Sequence, residues 1–370
     1  MILGVSAEQE ELRASVRRFL ADRAPMSRVR ALMDGGETDW AVWEQAGSQL
    51  GLQGLAIPES YGGAGFSFAE QAVVLEEFGA ALYGGPYLAS AVLAATALLA
   101  SPDEGARRGL LPDIASGQTV ATLAFTEDGG SWDPAAIRLS AVKDGEAWRL
   151  DGHKSFVLDG ATAGLILVVA TTDAGLSLFA VEGDAAGLGR AALPALDQTR
   201  QLARLEFAGV TGRLIGSPGD GAAALDRALD VAAVALAAEQ LGGAQRALDM
   251  AVEYAKVRRQ FDRPIGSFQA IKHRCADLLL EVESLRSAVG YAAAAVAEDS
   301  AEIPVLASLV KAYASETYFH VAAENIQIHG GIGFTWEHDA HLYFKRAKAS
   351  ELFLGDGAYH RERLANRIGL

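Results

Sequence analysis

The chain has 370 residues, 50% of them hydrophobic, which is enough for two or three domains with a sizeable core, and its formal net charge of -15 argues against non-specific binding to nucleic acid. The single cysteine, Cys275, excludes an internal disulfide and a cysteine-based metal cluster and is typical of a reducing cytosol. No uncharged run approaches the roughly 20 residues that a bilayer span requires, so we expect no membrane insertion. With the single cysteine, we expect a cytoplasmic protein that holds no metal.

Helical periodicity runs through residues 1–117 and predicts an N-terminal helical domain. Ser6, followed three residues later by Gln9, is typical of a capping box at the start of the first helix. A second helix is expected over residues 40–51. Closely spaced glycines in residues 58–65 indicate a loop, because each would cost about 1 kcal/mol inside a helix.

Between residues 118 and 212 the pattern changes to short runs that are typical of strands. These runs are residues 120–125, 137–142, 147–150, 165–170, 176–181 and 202–207. The turn signals between and around them are Gly129-Gly130, Asp144-Gly145, Asp151-Gly152 and Asp159-Gly160. A compact β-domain over residues 118–212 is therefore predicted.

From residue 222 to residue 370 helical periodicity returns, with breaks near residues 262–264, 300–304 and 330–333. Four long antiparallel helices are expected, as in a helical bundle. Together the three segments predict an α+β protein in which two helical domains flank a β-domain.

The first break in the C-terminal segment is unusually basic. Its stretch, residues 254–277, contains Arg258, Arg259, Arg263, Lys272, His273 and Arg274. Such a cluster in a chain of net charge -15 favours an anionic phosphate group as the ligand. A solvated corner between two helices is the alternative explanation of the charges alone.

The order of residues at this corner is more specific than its charge. It reads Arg258-x-Gln260-Phe261-x-x-Pro264-Ile265-x-x-Phe268-Gln269. This resembles the R-x-Q-F-G-x-P-I-x-x-F-Q signature of the acyl-CoA dehydrogenase family, flavoenzymes that oxidise the α,β bond of an acyl-CoA thioester. The resemblance implies that the FAD of a neighbouring protomer is contacted by Arg258, Gln260, Phe261 and Gln269. Asp262 stands where the family usually has glycine.

Two glycine-rich segments also resemble the family. They read Gln327-x-His329-Gly330-Gly331-x-Gly333 and Pro58-Glu59-x-Tyr61-Gly62-Gly63-x-Gly65. In the family the glycines of the first segment let the backbone approach the FAD pyrophosphate. The resemblance therefore implies Gln327, Gly330 and Gly331 as further cofactor-binding residues.

In the β-domain the resemblance is incomplete. Phe125-Thr126-Glu127 matches the end of the family's aromatic-x-x-T-E segment, which implies Phe125 and Thr126 as contacts of the flavin ring. Phe156 and Leu158 stand where the family has its W-x-T motif. A side-chain hydrogen bond to the N5 region of the flavin is therefore expected to be missing.

The catalytic base of the family is not at its usual place. Most members have a glutamate in a Y-E-G-T segment, whereas this chain reads Phe353-Leu354-Gly355-Asp356-Gly357. One alignment puts Leu354 in its place and the other puts Asp356 there, so Asp356 is the tentative catalytic residue. Members with the base on the preceding long helix map it onto Ala232. Glu239, two turns further on the same face, is the alternative carboxylate, and pairing with Arg246 is its more ordinary role.

The resemblance covers essentially the whole chain and is greatest to the small-subunit branch, such as the pimeloyl-CoA dehydrogenase small subunit. It implies an N-terminal helical domain, a middle β-barrel and a C-terminal four-helix bundle. It also implies FAD as cofactor and an acyl-CoA of fatty acid or sterol catabolism as substrate. The implied electron acceptor is an electron-transfer flavoprotein or another redox partner.

Three functions stay open from the sequence. The chain is a dehydrogenase that forms one subunit type of a homo- or heterotetramer, or an inert subunit that completes the FAD site of a larger paralogous subunit. The third alternative is a two-component flavin hydroxylase on the same fold, which would use reduced flavin and oxygen and would not need the carboxylate.

Overall fold

The computed structural model of the protein describes residues 6–35, 38–145 and 147–370. These residues form two compact units. One contains the described residues of Met1–Ala31, Phe68–Tyr83 and Ala233–Leu370, and the other contains those of Leu32–Ser67 and Gly84–Ala232. The division into domains 1–117, 118–212 and 222–370 follows the order of helices and strands along the chain, and its boundaries stay a prediction.

The helices before the β-domain follow the sequence pattern except at α2. They are α1 (Ala7–Arg23), α2 (Met26–Gly35), α3 (Trp40–Leu50), α4 (Phe68–Ala80), α5 (Ala95–Ala100, after a π-helical segment Leu88–Ala94) and α6 (Glu104–Ala115). The capping box is confirmed, because the Ser6 hydroxyl accepts from the Gln9 N–H and the Gln9 side chain accepts from the Ser6 N–H. α2 has no clear signal in the sequence. Its ten residues bury Val29 and Met33 but are too few to show a clear period.

The β-domain is a closed barrel with two added strands. Its strands are β1 (Ala121–Ala124), β2 (Ser140–Asp144), β3 (Ala147–Leu158), β4 (Leu165–Thr172), β5 (Gly175–Glu182), β6 (Leu188–Leu193) and β7 (Leu202–Ile215). Strands β2, β3, β7, β5 and β4 pair in that order, and β4 pairs back with β2, which closes the barrel. β1 adds parallel to β4, and β6 adds antiparallel to β7.

Besides shifts in strand ends, such as β7 continuing to Ile215 beyond the predicted residue 207, the barrel differs from the sequence prediction at Gly152 and at β6. Gly152, predicted as a turn, lies inside β3 at a φ of 135°, where the register with β7 shifts between Leu150 and Gly152. Glycine permits such a bulge, so this turn signal marks a bend in a continuing strand. β6 is not predicted, because most of its residues are exposed and its sequence lacks a buried alternation.

The described chain after the barrel is helical. It contains α7 (Gly221–Val257), α8 (Gln269–Ala297), α9 (Ile303–His329), α10 (Ala340–Leu352) and α11 (Gly357–Arg367). The three predicted breaks are confirmed. The fourth long helix is corrected to two short ones of 13 and 11 residues, because Leu354 and Gly355 between them have left-handed φ values that a helix cannot continue. None of the helices in the described ranges has the length and apolarity needed to cross a membrane.

α4 and α7 approach each other at backbone contact distance. A Cβ atom at Gly79 of α4 would lie 1.8 Å from the Glu239 carbonyl oxygen, and one at Gly242 of α7 would lie 1.7 Å from the Glu76 carbonyl oxygen. A side chain at either glycine would push the two helices apart. This contact fixes the position of Glu239 on α7 relative to α4.

Candidate cofactor and catalytic site

The basic corner between α7 and α8 is a tight hairpin. Arg259–Gln260 pairs with Arg263–Pro264, and the two residues between them, Phe261 and Asp262, have φ values of 52° and 63°. A two-residue hairpin of this type requires left-handed backbone at both central residues, which favours glycine at the second of them. Aspartate adopts this conformation more readily than most residues, so Asp262 fits the turn.

Residues 258–269 are termed the cofactor corner. The four corner residues that the resemblance implies are exposed: Arg258, Gln260, Phe261 and Gln269. Phe261 is 87% exposed. Across the ranges 6–35, 38–145 and 147–370, the Arg258 guanidinium has no carboxylate partner. An exposed large ring, and an arginine three residues before it without a carboxylate partner, favour a ligand or another chain as the contact of each.

The glycine turn, residues 330–333, follows α9. Gly330 has φ 65° and ψ -144°, a conformation for glycine. In the described chain a Cβ atom at Gly330 or Gly331 would meet no other atom within 4 Å, so this side of the turn is open. Gln327 is exposed on the last turn of α9. A phosphate group could therefore approach the turn backbone without a side chain in its way.

The structure brings these two segments together. The Tyr254 ring, in the last turn of α7, stacks on the His329 ring with centroids 4.3 Å apart and 27° between the planes. Because Tyr254 precedes the cofactor corner and His329 precedes the glycine turn, the implied bundle residues lie on two neighbouring segments. The motifs point to the turn but give no signal for Tyr254, which looks in sequence like any other helix residue.

Phe125 and Thr126 lie at the end of β1 in the other compact unit. Both are buried, with exposures of 5% and 3%. The Thr126 hydroxyl has no hydrogen-bond partner among the described residues. A buried hydroxyl without a partner fits a contact to a bound polar group.

An ion pair between the buried Lys154 and the half-buried Glu127 supports these two residues. Lys154 Nζ donates to the Phe125 carbonyl and to Glu127 Oε1, each at 2.9 Å. Burial lowers the pKa of Lys154 to about 8, and Glu127 opposes that shift. Burial acts to raise the pKa of Glu127, but hydrogen bonds from the Leu139 and Arg138 amides and from Lys154 hold it below its ordinary value. Lysine and glutamate 27 residues apart give no local sequence signal.

At the end of β3, Phe156 and Leu158 stand where the family has the Trp and Thr of its W-x-T motif. Phe156 has a left-handed φ of 58° and is partly exposed at 37%. Leu158 is buried, and its carbonyl accepts a hydrogen bond from Thr122 Oγ1 at 2.5 Å. The Leu158 side chain has no donor, so the missing hydrogen bond to the flavin stays a prediction that agrees with the residue types.

Residues 353–357, termed the base loop, contain Asp356 as their one carboxylate. Leu354 is 4% exposed and has a left-handed φ of 62°. Asp356 is exposed, and its Oδ1 accepts from the Tyr359 N–H at 2.8 Å, which makes it the N-cap of α11. This capping role accounts for the Asp356 side chain by itself.

Two buried side chains bind the carbonyl groups of the base loop. His360 Nε2 donates to the Leu354 carbonyl at 3.0 Å, and Lys311 Nζ donates to the Gly355 carbonyl at 2.9 Å and the Glu351 carbonyl at 3.2 Å. Burial, with the charge of Lys311, lowers the pKa of His360 to about 3. The loop is therefore fixed from inside the bundle.

Glu239 belongs to a different pair from the one predicted. Its Oε1 lies 2.7 Å from Nη1 of Arg346 on α10, and both side chains are buried. Arg246, the expected partner, lies 3.6 Å from Glu253 instead. Spacing along one helix identifies residues on one face, whereas this partner comes from another helix.

Within one compact unit, the corner and the glycine turn fit the pyrophosphate of FAD, and the β-domain residues, taken by themselves, fit its flavin ring only in part. The corner and the turn offer an arginine without a carboxylate partner and open glycine backbone, which suit a pyrophosphate. Thr126 suits a ring contact, and Leu158 does not. Within the residues that the structure describes, no group of three or more His, Cys, Asp or Glu side chains could hold a metal ion.

Comparison with known proteins covers the whole chain. Family models described as the N-terminal, middle and C-terminal domains of acyl-CoA dehydrogenase match residues 6–118, 122–210 and 219–369. Acyl-CoA dehydrogenase IpdE2 of Mycobacterium tuberculosis is 37% identical over 349 residues, which cover 94% of this chain and 93% of that protein.

Two solved structures are similar over nearly their full length. A variant of the Tcur3481-Tcur3483 steroid ACAD is 35% identical with a TM-score of 0.89, covering 99% of this chain and 98% of that chain. The ChsE4-ChsE5 complex from Mycobacterium tuberculosis is 31% identical with a TM-score of 0.91, covering 100% and 99%.

Proposed function

The chain belongs to the acyl-CoA dehydrogenase family, and we propose that it works as the subunit that completes the cofactor site of a second, base-bearing dehydrogenase chain. Its reaction class is FAD-dependent α,β-dehydrogenation of an acyl-CoA thioester. That reaction needs a carboxylate for the α-proton, hydrogen bonds to the thioester carbonyl, and an acceptor for the β-hydride, which bound FAD supplies.

The observation that carries the proposal is the base loop. Leu354, at one of the two aligned base positions, is buried and cannot take a proton. Asp356, at the other, uses its carboxylate to cap α11. Glu239 is bound to the buried Arg346 guanidinium, and this ion pair would have to break before the carboxylate could accept a proton. None of these three candidate positions therefore offers a carboxylate that is ready to act as the base.

The cofactor corner and the glycine turn support the other half of the proposal. In the family the corner residues reach the FAD of a neighbouring protomer. Arg258 and Phe261 are exposed here, and the turn backbone is open at Gly330 and Gly331. A chain that keeps these contacts without a base is suited to serve its neighbour's site.

The names of the relatives favour a hetero-oligomer. ChsE4-ChsE5 is described as a complex, and Tcur3481-Tcur3483 names a pair of chains of a steroid acyl-CoA dehydrogenase. We extend this arrangement to the present chain, as the small-subunit type beside a larger paralogous subunit. A steroid-derived acyl-CoA is the substrate class that we propose, with an electron-transfer flavoprotein or another redox partner as electron acceptor.

The test is reconstitution. The purified chain is assayed for acyl-CoA oxidation with an artificial electron acceptor, alone and after co-purification with a dehydrogenase chain encoded beside it. We expect turnover by the lone chain to be about 10²- to 10⁴-fold lower than that of the complex, as loss of a general base predicts. The matched control is a complex in which this chain carries Asp356→Asn, which should keep full turnover.

Turnover by the lone chain at the rate of the complex would overturn the proposal. Loss of that turnover in Asp356→Asn or in Glu239→Gln would then identify the base. Oxygen-dependent hydroxylation by the lone chain with reduced flavin would support the hydroxylase alternative instead.

A further inference from the structure

Three aromatic rings connect the cofactor corner to the glycine turn. Tyr254 stacks on His329 with ring centroids 4.3 Å apart, and the ring centroid of His338 also lies 4.3 Å from that of His329. We propose that these three side chains are positioning residues that hold the two segments at a fixed separation for a dinucleotide pyrophosphate. The inference rests on the proposed role of the corner and the turn in binding FAD.

Tyr254 is directly connected to the cofactor corner. Its carbonyl accepts a hydrogen bond from the Arg258 N–H at 2.8 Å, and the Arg258 carbonyl accepts one from the Ile265 N–H at 2.8 Å. A Cβ atom at Gly266 would lie 2.9 Å from the Ala255 carbonyl oxygen, so the corner packs back against the end of α7. A shift of the Tyr254 backbone therefore moves the backbone that carries Arg258.

His329 fixes the glycine turn. It is 6% exposed, and its Nδ1–H donates to the Asn325 carbonyl at 2.8 Å, since a carbonyl can only accept. This bond orients the ring against the last turn of α9. Gly333 folds back so closely that a Cβ atom there would lie 2.8 Å from the His329 Cβ. The turn therefore packs directly against the end of α9 at His329.

His338, which contacts the His329 ring, is itself held by hydrogen bonds. Its carbonyl accepts from Arg30 Nη2 at 3.0 Å, and its Nδ1 accepts from the Ala340 N–H at 3.1 Å. Arg30 also donates to Asp339 Oδ1 at 2.8 Å and to the Trp336 carbonyl at 2.7 Å. The rings of His329 and His338 are tilted by 50°, and burial lowers the pKa of both imidazoles. Neutral rings can lie this close without repulsion between like charges.

A stack that only stabilised the fold would act independently of the arginine. A positioning stack acts through it, because the ring contact sets where Arg258 stands relative to the turn. Recognition of a phosphate by two segments requires their relative placement to within about 0.5 Å. The two roles therefore predict different results when the stack and Arg258 are altered together.

The experiment uses ADP, which is the adenosine and pyrophosphate half of FAD. ADP is titrated into the purified chain by isothermal calorimetry. We expect Tyr254→Leu to weaken ADP binding about 10-fold, the effect of misplacing one charge-assisted contact, and Tyr254→Phe, which keeps the ring, to stay within about 2-fold. In the Arg258→Ala background, Tyr254→Leu should weaken binding no further.

Several results would overturn the inference. They are wild-type affinity in Tyr254→Leu, equal weakening in Tyr254→Phe, a full additional loss in the Arg258→Ala background, or no ADP binding by the wild-type chain. His329→Phe, which keeps a ring and loses the bond to Asn325, serves as a second variant should Tyr254→Leu fold poorly, and it should also weaken ADP binding. ADP binding does not require a catalytic base. These outcomes can therefore be told apart from a failure of the proposal that this chain lacks its base.

Discussion

The cofactor corner and the base loop lie in the same compact unit, but they satisfy their polar groups in opposite ways. At the corner, Phe261 is 87% exposed and the Arg258 guanidinium has no carboxylate partner in the described ranges. In the base loop, Leu354 is 4% exposed, and the loop carbonyls are bound by the buried side chains of His360 and Lys311.

The corner exposes groups that still lack contacts, whereas the carbonyl groups of Leu354 and Gly355 in the base loop already have hydrogen-bond donors. An exposed ring and an arginine without a carboxylate partner leave favourable contacts unmade, and a ligand or a neighbouring chain can supply them. A loop whose buried carbonyls have donors gains nothing from a ligand. On the proposed function, the corner would serve the active site of a neighbouring chain, whereas the base loop of this chain offers no free carboxylate.

The largest expected effect tests whether the base loop is held from inside. Lys311→Met leaves the buried Gly355 carbonyl and the partly buried Glu351 carbonyl without their ammonium donor, which should lower the free energy of unfolding by about 3 kcal/mol. Lys348→Met is the control, because Lys348 pairs at the surface with Glu351 and should contribute under about 0.5 kcal/mol. Urea unfolding of both variants gives the comparison. Equal losses would mean that the loop does not depend on Lys311.

The second prediction tests whether the cofactor corner binds FAD through Arg258. Arg258→Ala should weaken FAD binding by about 1.5 to 3 kcal/mol, roughly 10- to 100-fold, with little change in stability, because its guanidinium is exposed. Arg108→Ala, which removes an exposed arginine paired with Glu104 on α6, is the matched control. Flavin content after gel filtration measures the effect. Unchanged flavin content in Arg258→Ala would remove the corner from the cofactor site.

The third prediction concerns how the free energy of unfolding depends on pH through His360, which binds the base loop. His360 has a pKa of about 3 in the folded protein against about 6.5 when unfolded, so the unfolded chain binds an additional proton between these values. Its stabilising contribution is complete above about pH 6.5 and is lost as the pH falls, by up to about 1.4 kcal/mol per unit.

His360→Gln keeps a donor for the Leu354 carbonyl but does not titrate. Urea midpoints at pH 7 and pH 5 should therefore fall less for this variant than for the wild type. Equal slopes would show that the imidazole is not buried as described.

The smallest expected effect concerns Asp356. Asp356→Ala should cost about 1 kcal/mol of stability because α11 loses its N-cap, and Asp356→Asn, which keeps an acceptor, should be nearly neutral. Turnover of the reconstituted complex should be the same for both. A complex that loses activity in Asp356→Asn while its melting temperature is unchanged would make Asp356 the base and break the contrast between the two regions.

The sequence determined those features that depend on neighbouring residues. The periods of the helices and strands, the breaks at Pro264 and in the glycine turn, and the N-cap at Ser6 follow from local backbone preferences. The motif letters at the corner and the turn also lie in consecutive order, so the family and its cofactor could be predicted. Errors occurred where local signals are weak or ambiguous, as at α2, β6 and Gly152.

Tertiary structure alone decided which distant side chains meet. Glu239 pairs with Arg346, 107 residues away, and Lys311 binds the carbonyl of Gly355, 44 residues away. Tyr254 meets His329 across two helix ends. Helical period fixes the face on which a residue lies, but the crossing of α4, α7, α9 and α10 fixes its partner. That crossing depends on the packing of the whole bundle, which no local pattern of residues encodes.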